Sequence, residues 1–418
     1  MVWKRRIPVL AVVLCQLLPL MNLRAGEVDS EIPIAVNRIS DRVLIARLEG
    51  VPQATNVIAL KTAQGIAVID AEASPTFARA IRQRIAREFG CDDFAILINT
   101  HDHGDHTYGN QVFAGAEIIG QENVTEEMKK SEEKRARTIK QLQAGVAAMR
   151  AAYGQMDANS EAAKSMAKRI SFYDQMQEGL DINFALTTPN MTFSDSMDIN
   201  LGDLTLHLTY FGYAHSRSDI LIYCPEEQLL ATGDLFYAGD DLYIDSERLP
   251  FLPRWMANLK NVVNQKENIA AIVPGHGDLL PMADLAAQRD TLKQRETEFS
   301  GRESAFFAFK KDVDEVGLDK ALTHLKKMRK QPKKYFVLHP ELDSYAYKMM
   351  LDGRLDEALK IFQGLAELFP DNYIAFDSLG EAFSRKGDKE RAIENFEKSL
   401  ELNPENQNAK DRLEELQG

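Results

Sequence analysis

Cysteine, tryptophan and positive charge are scarce in this chain of 418 residues. It has three cysteines and two tryptophans, and its 50 lysines and arginines are outnumbered by 63 acidic residues. Cys15 lies in the N-terminal segment, which leaves Cys91 and Cys224 for a folded domain. Two cysteines do not make a disulfide framework, and neither has the spacing of a metal-ligand motif. One optional disulfide and two buried thiols are both compatible with the sequence.

The longest apolar run lies at the N-terminus and has the pattern of a secretory signal peptide. Basic residues 4–6 precede the apolar residues 7–23, and Ala25 offers a small residue for cleavage. An uncleaved anchor is the alternative, but two prolines and a glutamine interrupt a run that is short for a bilayer span. We therefore expect cleavage of residues 1–25 and a secreted or periplasmic protein with no membrane attachment.

The excess of acidic residues limits the partners of the mature chain. Removing residues 1–25 takes away four positive charges and no acid, which moves the formal net charge from −13 to −17. Phosphate backbones and anionic membrane surfaces repel such a protein, so we expect no nucleic-acid partner and no membrane binding.

Histidine is also rare, yet its few copies are concentrated in one motif. The chain has 8 histidines, and three of them lie between His101 and His106. The motif reads Thr100-His101-Asp102-His103-Gly104-Asp105-His106 and follows a strand-like run at residues 94–99. Side chains alternate along a strand, so its end places His101 and His103 on one side, and Asp105 and His106 follow in the turn. Imidazole and carboxylate ligands suit zinc or a similar transition metal.

Three further motifs complete a recognisable set. They are Gly212-Tyr213-Ala214-His215, Thr232-Gly233-Asp234 and Pro274-Gly275-His276-Gly277. Together with His-x-His-x-Asp-His they resemble the ligand motifs of metallo-β-lactamase-fold hydrolases, in the branch that binds two metals. The resemblance covers roughly residues 33 to 290. It implies an α/β fold, an αββα sandwich.

The resemblance implies a role for each of seven side chains. One divalent ion would be held by His101, His103 and His215, a second by Asp105, His106 and His276, and Asp234 would bridge the two. We expect zinc ions that share a hydroxide, polarise the scissile bond and leave Asp105 as a catalytic carboxylate that orients the nucleophile and passes on a proton. Asp70 and Asp219 are candidate partners for the outer ring nitrogens of the ligands, and we interpret His207, in the middle of a strand, as structural.

Asp234 also bears on the substrate. In the resembling family, true zinc β-lactamases carry Cys or Ser at this motif, whereas glyoxalase II-like, lactonase-like and alkylsulfatase-like members carry Asp. The residue therefore favours a hydrolase of a small-molecule ester, lactone, amide or sulfate ester. Glyoxalase II proper is disfavoured because export separates the chain from glutathione. A β-lactamase, a mononuclear iron enzyme similar to persulfide dioxygenases, and an interaction protein with a vestigial metal domain stay open as alternatives.

Two segments flank this set of motifs. Residues 121–180 carry two apolar stripes of helical spacing, which predict an inserted helical hairpin that serves either as a packing element or as a substrate lid. Residues 236–259 would form the far rim of the site. Four aromatic side chains of this segment are candidates for an apolar wall that contacts the substrate: Tyr237, Tyr243, Phe251 and Trp255. Packing in the core explains Trp255 at least as well.

The C-terminal part repeats with a period of 34 residues. Gly353, Ala358, Phe362, Leu368 and Pro370 recur as Gly387, Ala392, Phe396, Leu402 and Pro404. This pattern resembles tetratricopeptide repeats, which implies an all-α domain that binds a protein partner or mediates self-association. The predicted organisation is a signal peptide (1–25), a metallo-β-lactamase-fold domain (27–290), a helical connector (291–340) and repeats with a capping helix (341–418).

Overall fold

The computed structural model describes residues 32–51, 54–154, 156, 160–181, 184–236, 249–264 and 268–417. The expected signal peptide, Tyr237 and Tyr243 lie outside these residues. The chain forms two compact units: the first includes residues 32–236 and 250–295, and the second residues 296–417.

Two sheets form the centre of the first unit. The seven-stranded sheet runs in chain order: β1 (Ile34–Arg38), β2 (Val43–Leu48), β3 (Val57–Thr62), β4 (Gly65–Ile69), β5 (Phe94–Ile98), β6 (Glu117–Gln121) and β7 (Met191–Phe193). The five-stranded sheet contains β8 (Ser196–Asn200), β9 (Thr205–Tyr210), β10 (Ile220–Cys224), β11 (Leu229–Gly233) and β12 (Ala271–Pro274), in the order β12-β11-β10-β9-β8. Strands β4 to β7 pair in parallel, as do β11 and β12, so their carboxyl ends meet at one edge of each sheet.

Alternating side chains build two cores from the first sheet. In β2, Val43 and Ile45 face the second sheet, where they pack with residues such as Leu206 and Ile222. Leu44 and Ala46 belong to a core on the opposite face of the sheet. Because successive strand residues point to opposite faces, a strand buried on both sides is apolar throughout. This pattern gives the αββα sandwich that the sequence predicts.

Helix α1 (Pro75–Phe89) covers the outer face of the first sheet. Phe77, Ile81 and Ile85 are buried there, at a spacing of about one helical turn. The Ser74 hydroxyl accepts a hydrogen bond from the Phe77 amide and caps the helix, and Gly90 ends it in the left-handed conformation. The other α-helices among the described residues of this unit are α2 (Gly104–Thr107), α3 (Val124–Tyr153), α4 (Glu161–Asp181), α5 (Leu252–Asn264) and α6 (Met282–Phe299), whose last residues belong to the second unit.

The insertion predicted at residues 121–180 is a pair of long helices. Ile139, Leu142 and Val146 of α3 are buried, as the apolar stripe predicts. Helix α4 packs on α1, where the Phe172 ring stacks on Phe77 with centroids 4.9 Å apart. The hairpin is therefore joined to the outer helical layer of the sandwich, which supports a packing role for α4.

The second unit consists mainly of paired helices. These are α7 (Ala305–Val316), α8 (Leu318–Arg329), α9 (His339–Leu351), α10 (Leu355–Leu368), α11 (Tyr373–Lys386), α12 (Lys389–Leu402) and α13 (Gln407–Gln417), with two short strands, β13 (Glu303–Ser304) and β14 (Tyr335–Phe336). Gly353 and Gly387, 34 residues apart, both adopt positive φ, +82° and +81°, where each helix pair turns. Phe362 and Phe396, the equivalent residues of α10 and α12, are fully buried.

Helices α7 and α8 share one apolar core with the repeats. Phe309, Ala321 and Leu325 belong to the same buried cluster as Phe362 and Phe396. The segment predicted as a connector thus packs as part of the helical array, because a repeat needs a neighbour to bury its apolar face.

Cys91 and Cys224 are both free thiols. Cys224 is buried, and burial raises its pKa to about 11, whereas Cys91 is half-buried. Within the described ranges, no helix combines the length and the apolar composition needed to cross a membrane.

Candidate metal centre

The structure brings all seven candidate ligands together at the carboxyl ends of strands. His101 to His106 follow β5, Asp234 follows β11 and His276 follows β12, while His215 lies in the loop between β9 and β10. Two clusters result: His101, His103, His215 and Asp234 form the first, and Asp105, His106, His276 and Asp234 form the second. In each cluster the potential ligand atoms all lie within 4.8 Å of one another.

The distances within the clusters match what a shared metal ion requires. His215 Nε2 lies 3.0 Å from His103 Nδ1, and His106 Nε2 lies 3.2 Å from His276 Nε2. Two imidazoles bound at the usual length to one tetrahedral zinc ion have their nitrogens about 3.3 Å apart. Asp234 Oδ2 lies 3.5 Å from Nε2 of both His215 and His276, so one carboxylate reaches both clusters.

One buried nitrogen tests whether these residues fit a metal. His101 Nε2 is buried and has no hydrogen-bond partner among the described residues. Burial, together with His106 and His103, holds the pKa of His101 well below its usual range, which favours the neutral ring. A buried polar atom without a partner is costly, and neutral imidazole is the form that binds metal. The donor set therefore fits a divalent ion.

The second cluster holds a balance of opposite charges. Burial opposes charge on His276, but Asp234 and Asp105 outweigh it and raise its pKa to about 10. Burial also opposes charge on His106, and Asp234 and Asp70 raise its pKa well above the usual range. Because bound metal and protons compete for the same nitrogens, an ion that enters this cluster must displace protons.

Two glycines permit close contacts at the centre that a side chain would block. A Cβ on Gly275 would lie 2.0 Å from Asp234 Oδ1, closer than any contact permits. Gly233 adopts φ +50°, and a Cβ there would lie 2.6 Å from the Thr100 hydroxyl. Glycine in Thr-Gly-Asp and in Pro-Gly-His is therefore a steric requirement of the centre.

The sequence model of the Metallo-beta-lactamase superfamily matches residues 50–276, more than half of the chain. The chain belongs to the metallo-beta-lactamase superfamily. A tetratricopeptide repeat model matches residues 374–406, which contain α11 and α12. The superfamily and the C-terminal repeat expected from the sequence are thus confirmed.

Individual relatives match a smaller part of the chain. The metallo-beta-lactamase type 2 of Bacillus cereus is 26% identical over 96 residues, which are 23% of this chain and 38% of that protein. The metallo-beta-lactamase type 2 of Bacteroides fragilis is 27% identical over 108 residues, 26% of this chain and 43% of that protein. The chain therefore spans about two fifths of the length of these relatives.

Solved structures align with the chain at low sequence identity. A metallo-beta-lactamase from Pontibacter korlensis aligns with a TM-score of 0.43 and 16% identity over 62% of this chain and 99% of that one. A metallo beta lactamase from Hirschia baltica aligns with a TM-score of 0.44 and 14% identity over 62% and 98%.

Of the two aspartates that the sequence suggests as partners of the ligand rings in this metallo-beta-lactamase domain, Asp70 has a described bond to a ring nitrogen. Asp70 Oδ2 lies 2.8 Å from His106 Nδ1. Asp219 accepts hydrogen bonds from the amides of Ala214 and Ser216, on either side of His215. Asp70 thus orients a ring, and Asp219 shapes the turn that presents one.

Other residues at the centre escaped the sequence analysis. Ser218 Oγ donates to Asp102 Oδ1 at 2.7 Å, which ties the His215 loop to the first metal motif. Glu72 is buried with φ +73°, and burial raises its pKa to about 7. Thr55 and Asn56, just before β3, are also buried. The local signal that could have identified Thr55 and Asn56 is a polar pair directly ahead of an apolar strand.

The base of the inserted hairpin touches the first metal motif. The Tyr108 ring lies against Gly104, and its centroid is 5.1 Å from that of Phe184, just after α4. The Arg135 guanidinium of α3 lies 4.3 Å above the Phe184 ring. The hairpin therefore has one helix on the outer layer and its base beside the centre, an arrangement compatible with both the packing and the lid hypotheses.

Three remaining sequence interpretations concern residues away from the ligands. His207 belongs to neither cluster; it is partly exposed and lies 2.7 Å from Asp198 on the neighbouring strand. Phe251 packs on Tyr213 in the His215 loop, with ring centroids 4.7 Å apart. Trp255 is 2% exposed, as the core-packing alternative predicts.

Proposed function

We propose that this protein is an exported hydrolase that uses two divalent ions, zinc, to cleave an ester, lactone, amide or sulfate-ester bond. The observation that carries the proposal is the position of Asp234. Its carboxylate oxygen lies 3.5 Å from a nitrogen of each cluster, which supports a centre with two ions rather than one.

Each ligand of the proposed centre has a defined task. His101, His103 and His215 would hold the first ion, Asp105, His106 and His276 the second, and Asp234 would link them. Two such ions supply Lewis-acid polarisation of the scissile bond and lower the pKa of water.

Asp105 is the ligand that faces the opening of the centre. Its side chain is 44% exposed, whereas those of His106, His215 and Asp234 are 7% exposed or less. A carboxylate at this position can meet both substrate and water. We propose that Asp105 orients the nucleophile and carries its proton to the leaving group.

β-Lactam hydrolysis is the second candidate because the curated relatives are type 2 metallo-beta-lactamases. Asp234 argues against it, since the resemblance places Cys or Ser at this motif in dedicated β-lactamases. An iron enzyme similar to persulfide dioxygenases makes a distinct prediction, close to one iron per chain.

Metal analysis followed by a substrate panel tests the proposal. The purified mature chain should contain close to two zinc ions and should hydrolyse at least one substrate among lactones, thioesters, alkyl sulfates and β-lactams. Chelators should abolish that activity. One ion per chain at saturating metal would contradict the two-ion proposal, and iron with persulfide-dependent oxygen uptake would replace it.

Two variants locate the centre. Asp234→Ala should reduce turnover more than it disturbs folding, because the charges of two neighbouring ions would then be less compensated. His207→Ala is the matched control and should keep its metal. The opposite pattern would show that the ligand assignment is wrong.

We further propose that the repeats bind a protein partner, as such arrays do through their concave surface. Self-association is the competing use, and light scattering of the full chain distinguishes the two. Export is tested separately: cell fractionation should place the protein outside the cytoplasm, with a mature N-terminus at Gly26.

A further inference from the structure

A buried dipeptide between β2 and β3 contacts both backbone segments that carry the ligands of the second cluster. Thr55 and Asn56 are 0% and 3% exposed. The Thr55 hydroxyl donates a hydrogen bond of 2.7 Å to the backbone carbonyl of Asp105. The Thr55 backbone also pairs with His276 as an isolated antiparallel bridge. One residue is therefore bonded to two ligand segments that lie far apart in the sequence.

Asn56 donates hydrogen bonds to backbone carbonyls on both sides of His276. Its amide donates to Gly275 O at 2.7 Å, and its side-chain Nδ2 donates to both Pro274 O and Gly277 O at 2.9 Å. Arg47 adds a hydrogen bond of 2.7 Å to Gly277 O. The carbonyls on both sides of His276 are thus held by one buried amide group. We call Thr55 and Asn56 the clamp.

Two ligand atoms of the second cluster come from the two segments that the clamp contacts. Asp105 Oδ2 and His276 Nε2 lie 3.2 Å apart, although Asp105 and His276 come from different loops. The clamp bonds to the backbone of both loops, so it holds their spacing independently of the ligand side chains.

The first cluster is held by a different set of bonds. Thr107 Oγ1 donates to His103 O at 2.9 Å, and Ser218 Oγ donates to Asp102 at 2.7 Å. Asp219 fixes the turn around His215. None of the hydrogen bonds described for the Thr55 and Asn56 side chains reaches these residues.

We propose that Thr55 and Asn56 are positioning residues that set the affinity of the second cluster for its ion and leave that of the first nearly unchanged. This inference rests on the two-ion centre of the proposed function. Residues that orient ligands typically change metal affinity by about tenfold to a hundredfold when they are replaced.

The experiment compares two substitutions at Thr55. Thr55→Val keeps the shape and removes the donor, whereas Thr55→Ser keeps the hydroxyl. Each metal-stripped full chain is titrated with zinc against a chromophoric chelator, which yields two dissociation constants. The constant that disappears in His276→Ala identifies the second cluster. Melting temperatures of the metal-free chains show whether folding is affected.

Thr55→Val should weaken zinc binding at the second cluster by about tenfold or more, and binding at the first should change less than about threefold. Thr55→Ser should bind both ions nearly as the natural chain does. Ser218→Ala is the control for the first cluster and should show the reverse selectivity. Asn56→Asp should reproduce the effect of Thr55→Val, because a carboxylate oxygen would then face two carbonyl oxygens.

Unchanged zinc binding in Thr55→Val, or equal weakening at both clusters, would overturn the proposal. Equal weakening with a lower melting temperature in both Thr55→Val and Asn56→Asp would assign the clamp a merely structural role. A fully loaded natural chain that hydrolyses nothing would remove the proposed function and leave the clamp intact. A natural chain that binds a single ion would overturn both.

Discussion

Asp70 Oδ2 lies 2.8 Å from His106 Nδ1, and both side chains are almost completely buried. Asp70 also accepts hydrogen bonds from the amide and the hydroxyl of Thr100, at 2.8 and 2.7 Å. The carboxylate therefore links Thr100, the first residue of the metal motif, to His106, the last. A metal-bound imidazole whose other nitrogen donates to a carboxylate is a better ligand with a fixed orientation.

Asp70→Asn should lower zinc affinity by about tenfold to a hundredfold, because the amide lacks the negative charge and one acceptor position. Asp198→Asn is a matched control, since it alters an aspartate–histidine pair that is exposed and lies away from the ligands. Equilibrium titration with zinc measures both variants. Equal affinities in the two variants would show that the buried pair has no influence on the centre.

Gly275→Ala should remove metal binding, because the added Cβ would overlap Asp234 Oδ1. Gly277→Ala provides a control two residues away, where a Cβ meets no atom within 4 Å but φ is +82°. That variant should lose only about 1 kcal/mol of stability from backbone strain and should keep its metal. Metal content and thermal unfolding of both variants test the prediction, which fails if Gly275→Ala retains two ions.

The buried carboxyl group of Asp343 should make the second unit less stable at higher pH. Burial raises the pKa of this carboxyl group to about 8 from an ordinary value of 3.8, so the folded chain holds a proton that the unfolded chain releases. The stabilising effect of this proton is fully present below about pH 4 and is lost as the pH rises through 8.

Asp343→Asn should therefore raise the melting temperature of the second unit at pH 8, by an amount that shrinks as the pH falls toward 4. The exposed Asp371→Asn is the control for loss of one negative charge and should show a small difference at every pH. A pH-independent effect of Asp343→Asn would exclude the buried carboxyl group as the cause.

The position of a truncation should decide whether the remaining chain is soluble. A chain that ends near residue 340 keeps α7 and α8 but loses the repeats on which Phe309, Ala321 and Leu325 pack. A chain that ends near residue 295 removes the whole second unit and leaves none of its apolar core behind. We expect the longer fragment to aggregate more than the shorter one, as measured by light scattering. The reverse order would mean that α7 and α8 do not depend on the repeats.

Much of the centre followed from the sequence because its information is local. The His-x-His-x-Asp-His motif lies at the end of one strand, and Asp234 and His276 each follow another, in short motifs whose resemblance to those of the family identified them. Helix α1 is encoded locally as well, since its apolar spacing and its Ser74 cap act within a few residues.

Only the tertiary structure revealed the contacts between distant segments. Thr55 and Asp105 are 50 residues apart in the chain, and Asn56 and Gly277 are 221 apart, so no local pattern links them. The left-handed backbone of Asp70 and Glu72 and the space that Gly275 leaves for Asp234 also depend on the packed arrangement. The sequence by itself determined which side chains can bind a metal, because chemistry and strand ends are local properties. The fold decided how closely they approach and what holds them there, because those distances arise when the two sheets pack together.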